Sequence, residues 1–352
     1  MNPFDYVRPA TLREAVAAAA EPGAVYLAAG TNLLDLMKGN VSRPARLVDI
    51  THLSGLDRIE ELPDGGLRIG ALVRNAELAH DRDFARRFPA VAEAILAGAS
   101  AQLRNAATVG GNLLQRTRCA YFYDPASACN KRQPGAGCDA HGGENRLHAI
   151  FGWTKNCIAT HPSDFCVPLV ALDAVVEIEG RAGRRDIALE HFHLLPGATP
   201  DRETVLEPGD LIVAVRLPAQ AAAFAAHSRY LKVRDRTSYA FALVSAAAAL
   251  RFDGERIAEA RLALGGVALK PWRARAAEQT LVGASADAAS FRSAATAALA
   301  GAAASGDNAF KIELARRTVQ RALMLAAAGT PQRLPALPAS AFATNPGAAI
   351  HA

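Results

Sequence analysis

Four cysteines fall within one central tract of the chain. Cys119, Cys129, Cys138 and Cys157 follow the spacing C-x9-C-x8-C-x18-C, and the 352-residue chain has one other cysteine. Structural zinc sites usually contain a pair of cysteines separated by about two to four residues, which this tract lacks. Two disulfides would suit an oxidising compartment and a small domain, whereas a 4Fe–4S cluster needs four thiolates. The spacing alone leaves a cluster, zinc, and disulfides or free thiols open.

Basic and imidazole side chains accompany these cysteines. Positive charge there would offset a cluster made anionic by its thiolates, or it could be ordinary solvated surface. Four basic residues are involved: Arg116, Arg118, Lys131 and Arg132. We expect three nearby histidines to be loop residues in water rather than ligands: His141, His148 and His161. The fifth cysteine, Cys166, leads the apolar run VPLVALDAVV and is expected in the core.

Two glycine turns could hold an anionic ligand. AAGTNL (28–33) places backbone amides where a short strand turns into a helix, and LRNAATVGGNLLQ (103–115) contains a second turn at Gly110 and Gly111. Free N–H groups at such a turn favour an anion. The first turn is neither a GxGxxG motif nor a Walker loop, so alone it is better explained as a plain strand-to-helix turn. Two such turns together indicate a ligand with two phosphates held between them.

A third polar feature is THPSDF (160–165). Ser163 and Asp164 could accept hydrogen bonds from ribose or adenine groups, or could cap a helix beginning at Phe165. On the motif alone the cap is the favoured interpretation.

The pattern of elements predicts an α+β protein. Strand alternates with helix over the first fifty residues, which indicates a small parallel α/β unit. A hairpin over 173–189 and a strand over 209–218 predict a second, mixed or antiparallel sheet unit. The pattern changes near residue 220, where three strands and then alanine-rich helices over 274–328 predict a C-terminal domain with a three-stranded antiparallel sheet.

Composition excludes several classes of function. The charged residues, 39 basic and 34 acidic, are spread along the chain, so no element has the concentrated positive charge of a nucleic-acid binder. The N-terminus lacks the charged and apolar regions of a secretory signal. The longest apolar run, YAFALVSAAAAL, is too short to cross a bilayer. We therefore expect a soluble protein whose export, if any, depends on the signal of a partner.

Three segments together resemble a known family. YLAAGTNLLDLMK, SAQLRNAATVGGNLLQRTRC and HPSDFCVPLVALDA are similar to the FAD-binding medium subunit of molybdenum hydroxylases, the xanthine dehydrogenase and carbon monoxide dehydrogenase group. The resemblance implies a PCMH-type FAD-binding domain over 1–222 and a CO-dehydrogenase-flavoprotein-like domain over 223–330. A tail over 331–352 would follow.

The cysteine tract indicates which members of this family the chain resembles most. Asn112 and Ser163 are fifty-one residues apart, where most such subunits need about ten, and the extra loop (113–160) carries the four cysteines. This resembles the periplasmic aldehyde oxidoreductase of the xanthine oxidase family, whose FAD subunit carries an additional 4Fe–4S cluster. The medium subunit of 4-hydroxybenzoyl-CoA reductase is the alternative, and a non-catalytic metal-binding interaction module is a more distant one.

The resemblance implies a role for particular residues. Main-chain amides of one segment would wrap the FAD pyrophosphate: Tyr26, Leu27, Ala28, Ala29, Gly30, Thr31, Asn32, Leu33 and Leu34. A second wall would consist of Thr108, Val109, Gly110, Gly111 and Asn112. Asp164 would hold the ribose or adenine side, and Ile212 and Lys232 would lie near the isoalloxazine ring. The cluster ligands would be Cys119, Cys129, Cys138 and Cys157.

Two residues depart from the family pattern. Ala29 replaces the second glycine of AGGT, which is tolerable if its φ stays negative. Tyr239 replaces an aspartate common in relatives, which leaves the oxidant of the flavin open.

The resemblance also implies the function and the partners. The chain would carry electrons from a large molybdenum-cofactor subunit that oxidises aldehydes, through a small 2Fe–2S subunit, to an external acceptor. The complex would be a heterotrimer in the periplasm, or alternatively in the cytoplasm. We expect no acid–base catalytic residue in this chain, because the cofactors do the chemistry.

Overall fold

The computed structural model describes residues 1–332. The predicted tail (331–352) therefore lies almost entirely outside the described residues. The described residues form three sheets with helices between and around them, and the α+β prediction is confirmed. None of the described helices has both the length and the apolar character needed to span a membrane.

Twelve strands form the sheets: β1 (Asp5–Val7), β2 (Ala24–Leu27), β3 (Arg46–Asp49), β4 (Ile59–Glu61), β5 (Leu67–Gly70), β6 (Val175–Gly180), β7 (Gly183–Ala188), β8 (Leu211–Leu217), β9 (Ser228–Val233), β10 (Val244–Asp253), β11 (Arg256–Gly265) and β12 (Trp272–Arg273). Thirteen α-helices are described: α1 (Leu12–Ala19), α2 (Leu33–Lys38), α3 (Asn75–His80), α4 (Arg82–Arg87), α5 (Pro89–Ala97), α6 (Ala101–Ala106), α7 (Val109–Leu113), α8 (Ala120–Tyr123), α9 (Cys166–Ala171), α10 (Leu189–Phe192), α11 (Arg275–Leu281), α12 (Ala288–Ala298) and α13 (Phe310–Ala327). Two 3₁₀ segments cover Asp139–His141 and Ala219–His227.

The N-terminal unit is a parallel sheet in the order β1-β3-β2. Thr11 begins α1, because its hydroxyl accepts a hydrogen bond from the amide of Glu14 at 3.2 Å. The β2 strand ends in the 28–33 turn, which leads directly into α2. The predicted α/β unit is therefore present, and the first glycine turn follows its edge strand β2.

The second sheet is antiparallel, in the order β4-β5-β8-β6-β7. Its β6–β7 hairpin pairs Gly180 with Gly183, as the sequence predicts. The core of this unit also contains residues of α5 and α9, so these helices pack on the sheet and share one hydrophobic core with it. The second glycine turn, in α7, packs against the end of β5.

The C-terminal sheet has four strands, in the order β12-β11-β10-β9, rather than the predicted three. The additional strand, β12, contains two residues, which is too few for a periodic pattern to be recognised. Strand β10 is buried on both faces: Ala246 and Ala248 contact the core beneath α11–α13, whereas Ala247 and Ala249 contact the core shared with α9. Burial on both sides explains the uninterrupted apolar run in this strand.

Candidate functional site

A cavity of about 930 Å³ lies where the second glycine turn, the cysteine loop and the C-terminal sheet meet. This volume is near the upper end of the range of about 300–1,000 Å³ typical of ligand pockets. Several residues predicted for the site line it: Thr31, Asn32, Gly111, Asn112, Cys119, Asp164 and Lys232. The structure therefore brings both glycine turns and one of the four cysteines to a single cavity.

The first turn offers unpaired backbone amides. Within the described residues, the amides of 28–33 donate to no other group of the chain. Gly30 has φ +72°, in the left-handed region that favours glycine. Ala29 is absent from the residues with positive φ, so alanine replaces the family glycine without strain. This segment can donate several N–H groups to a pyrophosphate, as expected of the first wall.

The backbone amides of the second turn all donate to other groups of the chain. The amide of Val109 donates to the carbonyl of Val73 at 2.9 Å, and that of Gly110 to the carbonyl of Ala71 at 2.8 Å. A Cβ on Gly110 would lie 3.0 Å from the Cβ of Ala71, a tight contact that would push the two segments apart, so glycine is favoured at this position. The amide of Gly111 donates to the Thr108 hydroxyl at 3.3 Å, and that of Asn112 donates to the Thr108 carbonyl at 2.9 Å. Unlike the first turn, residues 109–112 therefore have no free amide for an anion, and they line the cavity through Gly111 and Asn112.

Asp164 and Lys232 form a buried ion pair in the cavity wall. The Lys232 ammonium donates to the Asp164 carboxylate at 2.7 Å, and the side chains are 4% and 8% exposed, respectively. The Tyr230 hydroxyl donates to the same carboxylate at 2.6 Å. Burial, reinforced by Asp164, raises the pKa of Tyr230 well above its usual value, so the phenol stays protonated. Asp164 and Lys232, which were predicted to contact different parts of the ligand, thus form one ion pair.

The motif favoured a cap on a helix beginning at Phe165, but α9 begins at Cys166, and Ser163 bonds to the first amide of that helix. Its hydroxyl accepts a hydrogen bond from the amide of Cys166 at 3.3 Å. The same hydroxyl donates to the side-chain oxygen of Asn112 at 2.7 Å. This contact ties the THPSDF motif to the second glycine turn and fixes the two relative to each other.

Other predicted residues lie away from the cavity lining. Ile212 is 3% exposed in the core of the five-stranded sheet, because the central strand β8 is covered by neighbours. Tyr26 donates its hydroxyl to the carbonyl of Gly209 at 2.7 Å, which fixes β2 against that loop. The predicted flavin contacts of Ile212 and of residues 26–30 stay predictions.

Four buried polar atoms at the cavity wall have no hydrogen-bond partner within the described residues: Asn32 Nδ2, Asn75 Oδ1, Arg118 Nε and His148 Nδ1. Unpaired buried polar groups are costly. A ligand rich in donors and acceptors would satisfy them. The observed cavity therefore fits a dinucleotide such as FAD.

The four cysteines of the loop come together. Cys119 packs against one apolar cluster that contains Cys129 and against a second that contains Cys157. Cys129 pairs with Cys138 in an isolated β-bridge. Burial raises the pKa of Cys119 to about 11, and Cys129 and Cys157 add to this rise because negative charge at neighbouring sulfurs disfavours a further thiolate. All five cysteines of the chain are free thiols.

The spacing of the sulfurs bears on the choice of metal. Tetrahedral zinc with bonds of about 2.3 Å would hold its sulfurs about 3.8 Å apart. In the described part of the chain, no three of the four loop sulfurs lie within 4.8 Å of one another. The loop thiols therefore do not already have the sulfur spacing of a tetrahedral zinc site. The loop supplies the four thiols that a 4Fe–4S cluster needs as ligands, and bound iron would hold them deprotonated.

The basic residues of the loop are largely structural. Lys131 is buried, and its ammonium donates to the carbonyl of Pro200 at 2.7 Å and pairs with Glu203 at 3.0 Å. Arg132 donates to the carbonyls of Tyr121 and Phe122, each at 2.8 Å. The solvated-surface interpretation is therefore wrong for Lys131. Its charge also opposes the rise that burial causes in the pKa of Cys157.

Two of the three histidines expected in water are buried instead, namely His148 and His161. His161 lies against His193 and Cys166, a group that sequence reasoning did not connect. Burial lowers the pKa of His193 to about 4, and its neutral ring donates to the carbonyl of Leu113 at 2.8 Å. This bond holds the end of α7 in place. Cys166 is a core residue, as predicted.

The fold and the cavity are those of a dinucleotide-binding flavoprotein with an added thiol site. A family model described as the FAD binding domain in molybdopterin dehydrogenase matches residues 2–220. A second model, the CO dehydrogenase flavoprotein C-terminal domain, matches residues 229–326. The chain belongs to the family of FAD-binding medium subunits of the xanthine dehydrogenase and carbon monoxide dehydrogenase type, and it is an oxidoreductase subunit.

Individual relatives agree with this assignment. The aldehyde oxidoreductase FAD-binding subunit of Escherichia coli (strain K12) is 50% identical over 325 residues, which cover 92% of this chain and 98% of the relative. The carbon monoxide dehydrogenase medium chain of Hydrogenophaga pseudoflava is 28% identical, over 91% and 96% of the two chains. The solved structure of reconstituted CO dehydrogenase from Oligotropha carboxidovorans matches with a TM-score of 0.74 and 26% identity, over 94% of this chain and 99% of that one.

Proposed function

We propose that this chain is the FAD- and 4Fe–4S-carrying electron-transfer subunit of a molybdenum-dependent aldehyde oxidoreductase. A large molybdenum-cofactor subunit and a small 2Fe–2S subunit would complete a heterotrimer that converts aldehydes to carboxylic acids. The match to the Escherichia coli aldehyde oxidoreductase subunit, over nearly the whole length of both chains, supports this assignment. We also propose the division into a FAD-binding domain (1–222, with the insertion 113–160) and a C-terminal domain (223–330).

One observation carries the proposal: the thiol site and the flavin cavity share a wall. Cys119 lines the cavity and at the same time packs against the two apolar clusters that contain Cys129 and Cys157. A cluster held by these thiols would therefore lie directly beside a ligand in the cavity. Such proximity suits electron exchange and is not required of a site that only stabilises a loop.

The residues of the chain bind and orient the two groups. When bound, the flavin supplies two-electron redox chemistry, and the protein supplies position and electrostatics. The free amides of 28–33 would donate to the pyrophosphate, and Gly111 and Asn112 would form the opposite wall. The Asp164–Lys232 pair presents a fixed, locally neutral surface to the cavity. Cys119, Cys129, Cys138 and Cys157 would ligate the iron.

Compartment and electron acceptor belong to the same proposal. The aldehyde pocket would lie on the large subunit, and the acceptor would be an external quinone, ferredoxin or dioxygen. We place the complex in the periplasm, exported on the signal of a partner subunit. The resemblance to periplasmic aldehyde oxidoreductase supports this placement.

Replacing Cys138 with serine in the complete complex tests whether the cluster relays electrons. We expect the variant to keep its flavin and its melting temperature near that of the parent, but to lose iron and most aldehyde-dependent reduction of the external acceptor. Cys166→Ala is the matched control, because it removes a buried thiol outside the loop and should leave iron content unchanged. A folded, flavin-loaded Cys138→Ser variant with full electron flux would reject the relay role.

A further inference from the structure

His148 touches the thiol site at the flavin cavity. Its Nε2 lies 3.2 Å from the sulfur of Cys119, within the range of a hydrogen bond to sulfur. The residue is 7% exposed and lines the flavin cavity together with Cys119. Among the described histidines, it is the one whose ring contacts a loop sulfur at hydrogen-bonding distance. The contact lies where the two proposed cofactor sites meet.

The position of His148 is fixed by the C-terminal domain. Its backbone carbonyl accepts from the Lys311 ammonium at 2.8 Å and from the side-chain amide of Asn308 at 3.0 Å. Lys311, on α13, is 0% exposed and also donates to the carbonyls of Leu147 and Gly266. Burying a lysine is costly, so a fully buried lysine that donates to backbone carbonyls indicates that the segment around His148 is held in one position.

The chemistry of an iron-bound sulfur sets the direction of the hydrogen bond. A thiolate that ligates iron has no proton and can only accept, so the imidazole nitrogen facing it must be the donor. An N–H group directed at a ligand sulfur stabilises the more negative, reduced state of a cluster and raises its reduction potential.

We propose that His148 is a positioning and tuning residue of the iron–sulfur site, whose ring donates to Cys119 on the side facing the flavin and raises the reduction potential of the cluster. The inference rests on the proposed function, because it requires that the four thiols hold a cluster. It adds a residue outside the ligand set that adjusts the driving force between the cluster and the flavin.

Two substitutions in the purified complete complex test the proposal. His148→Leu removes the donor, whereas His148→Gln keeps a side-chain N–H. His141→Leu is the control, since His141 lies in the same loop and its ring packs edge-on against Trp153. Redox titration followed by electron paramagnetic resonance, with iron and sulfide counts, gives a readout independent of turnover.

We expect His148→Leu to shift the midpoint potential of the cluster to a more negative value at unchanged iron content. His148→Gln should show a smaller shift, and His141→Leu none. A His148→Leu protein with full iron and the parent potential would overturn the proposal. Parent protein without iron and sulfide would instead refute the cluster, and with it the proposed function.

A second measurement covers the case in which His148→Leu loses its iron. Pulsed electron paramagnetic resonance of the reduced parent complex, labelled with ¹⁵N-histidine, should reveal a hyperfine coupling from one imidazole nitrogen. The coupling should disappear in His148→Gln. Absence of any histidine coupling in the parent would overturn the proposal.

Discussion

Removing the charge of Asp164 should lower the free energy of unfolding, because Asp164 forms a buried ion pair with Lys232 in the cavity wall. In Asp164→Asn, the amide oxygen can still accept a hydrogen bond, but the Lys232 ammonium loses its counter-ion. Its other partner is the carbonyl of Ala97, at 3.1 Å. Both partners are almost fully buried, so water cannot replace the lost carboxylate. Breaking such a pair costs about 3–5 kcal/mol.

We take about 3 kcal/mol as the expected loss, because the carbonyl of Ala97 retains part of the interaction. A loss of about 3 kcal/mol lowers the folding equilibrium constant roughly 150-fold. Urea denaturation of the purified protein, followed by circular dichroism and flavin fluorescence, measures it. Flavin release should precede or accompany unfolding, since both residues line the cavity.

Two controls sharpen this measurement. The double variant Asp164→Asn/Lys232→Met removes both charges and should regain part of the loss. Glu313→Gln removes exposed pairs on α13 with Arg316 and Arg317 and should leave stability almost unchanged. A loss below about 1 kcal/mol for Asp164→Asn, or a double variant less stable than the single one, would refute the reasoning.

Two further predictions concern glycine packing and pH. Gly110→Ala should cost about 1–3 kcal/mol and reduce flavin content, because the new Cβ would meet Ala71. Gly142→Ala is the control and should have little effect, because no atom lies within 4 Å of its Cβ. A Gly110→Ala protein that is as stable as the parent and fully loaded with flavin would contradict the prediction. Burial, with Arg146 adding to it, lowers the pKa of Lys311 to about 7 from its ordinary value of 10.5. The unfolded chain then binds more protons between these values, so the free energy of unfolding should rise from about pH 7 to pH 10. Lys311→Met should flatten this part of the stability profile; an unchanged pH profile in the variant would count against it.

Features encoded locally could be predicted from the sequence. Thr11 begins α1 through a contact three residues away, and the β6–β7 hairpin closes over a short glycine turn. The glycine turns and the four cysteines have recognisable residue types and spacing. The two-residue strand β12 has no such pattern, because it is defined by its pairing with β11.

Features that depend on distant contacts could not be predicted. Asp164 and Lys232 are sixty-eight residues apart and meet only when the two domains pack together. His148 resembles a loop histidine in the sequence, yet it is buried because Lys311, 163 residues later, holds its backbone. The burial of Ile212 likewise follows from its place in a central strand, and its contact with the flavin stays a prediction.

The cofactor content of the protein tests the central claim most directly. Anaerobically purified complex should be assayed for flavin, iron, acid-labile sulfide and zinc per copy of this chain, before and after separating the subunits. We predict one FAD on this chain, with iron and sulfide in equal amounts that match one 4Fe–4S cluster. A colourless chain that contains zinc and no flavin, or whose loop cysteines are paired as disulfides, would contradict the account.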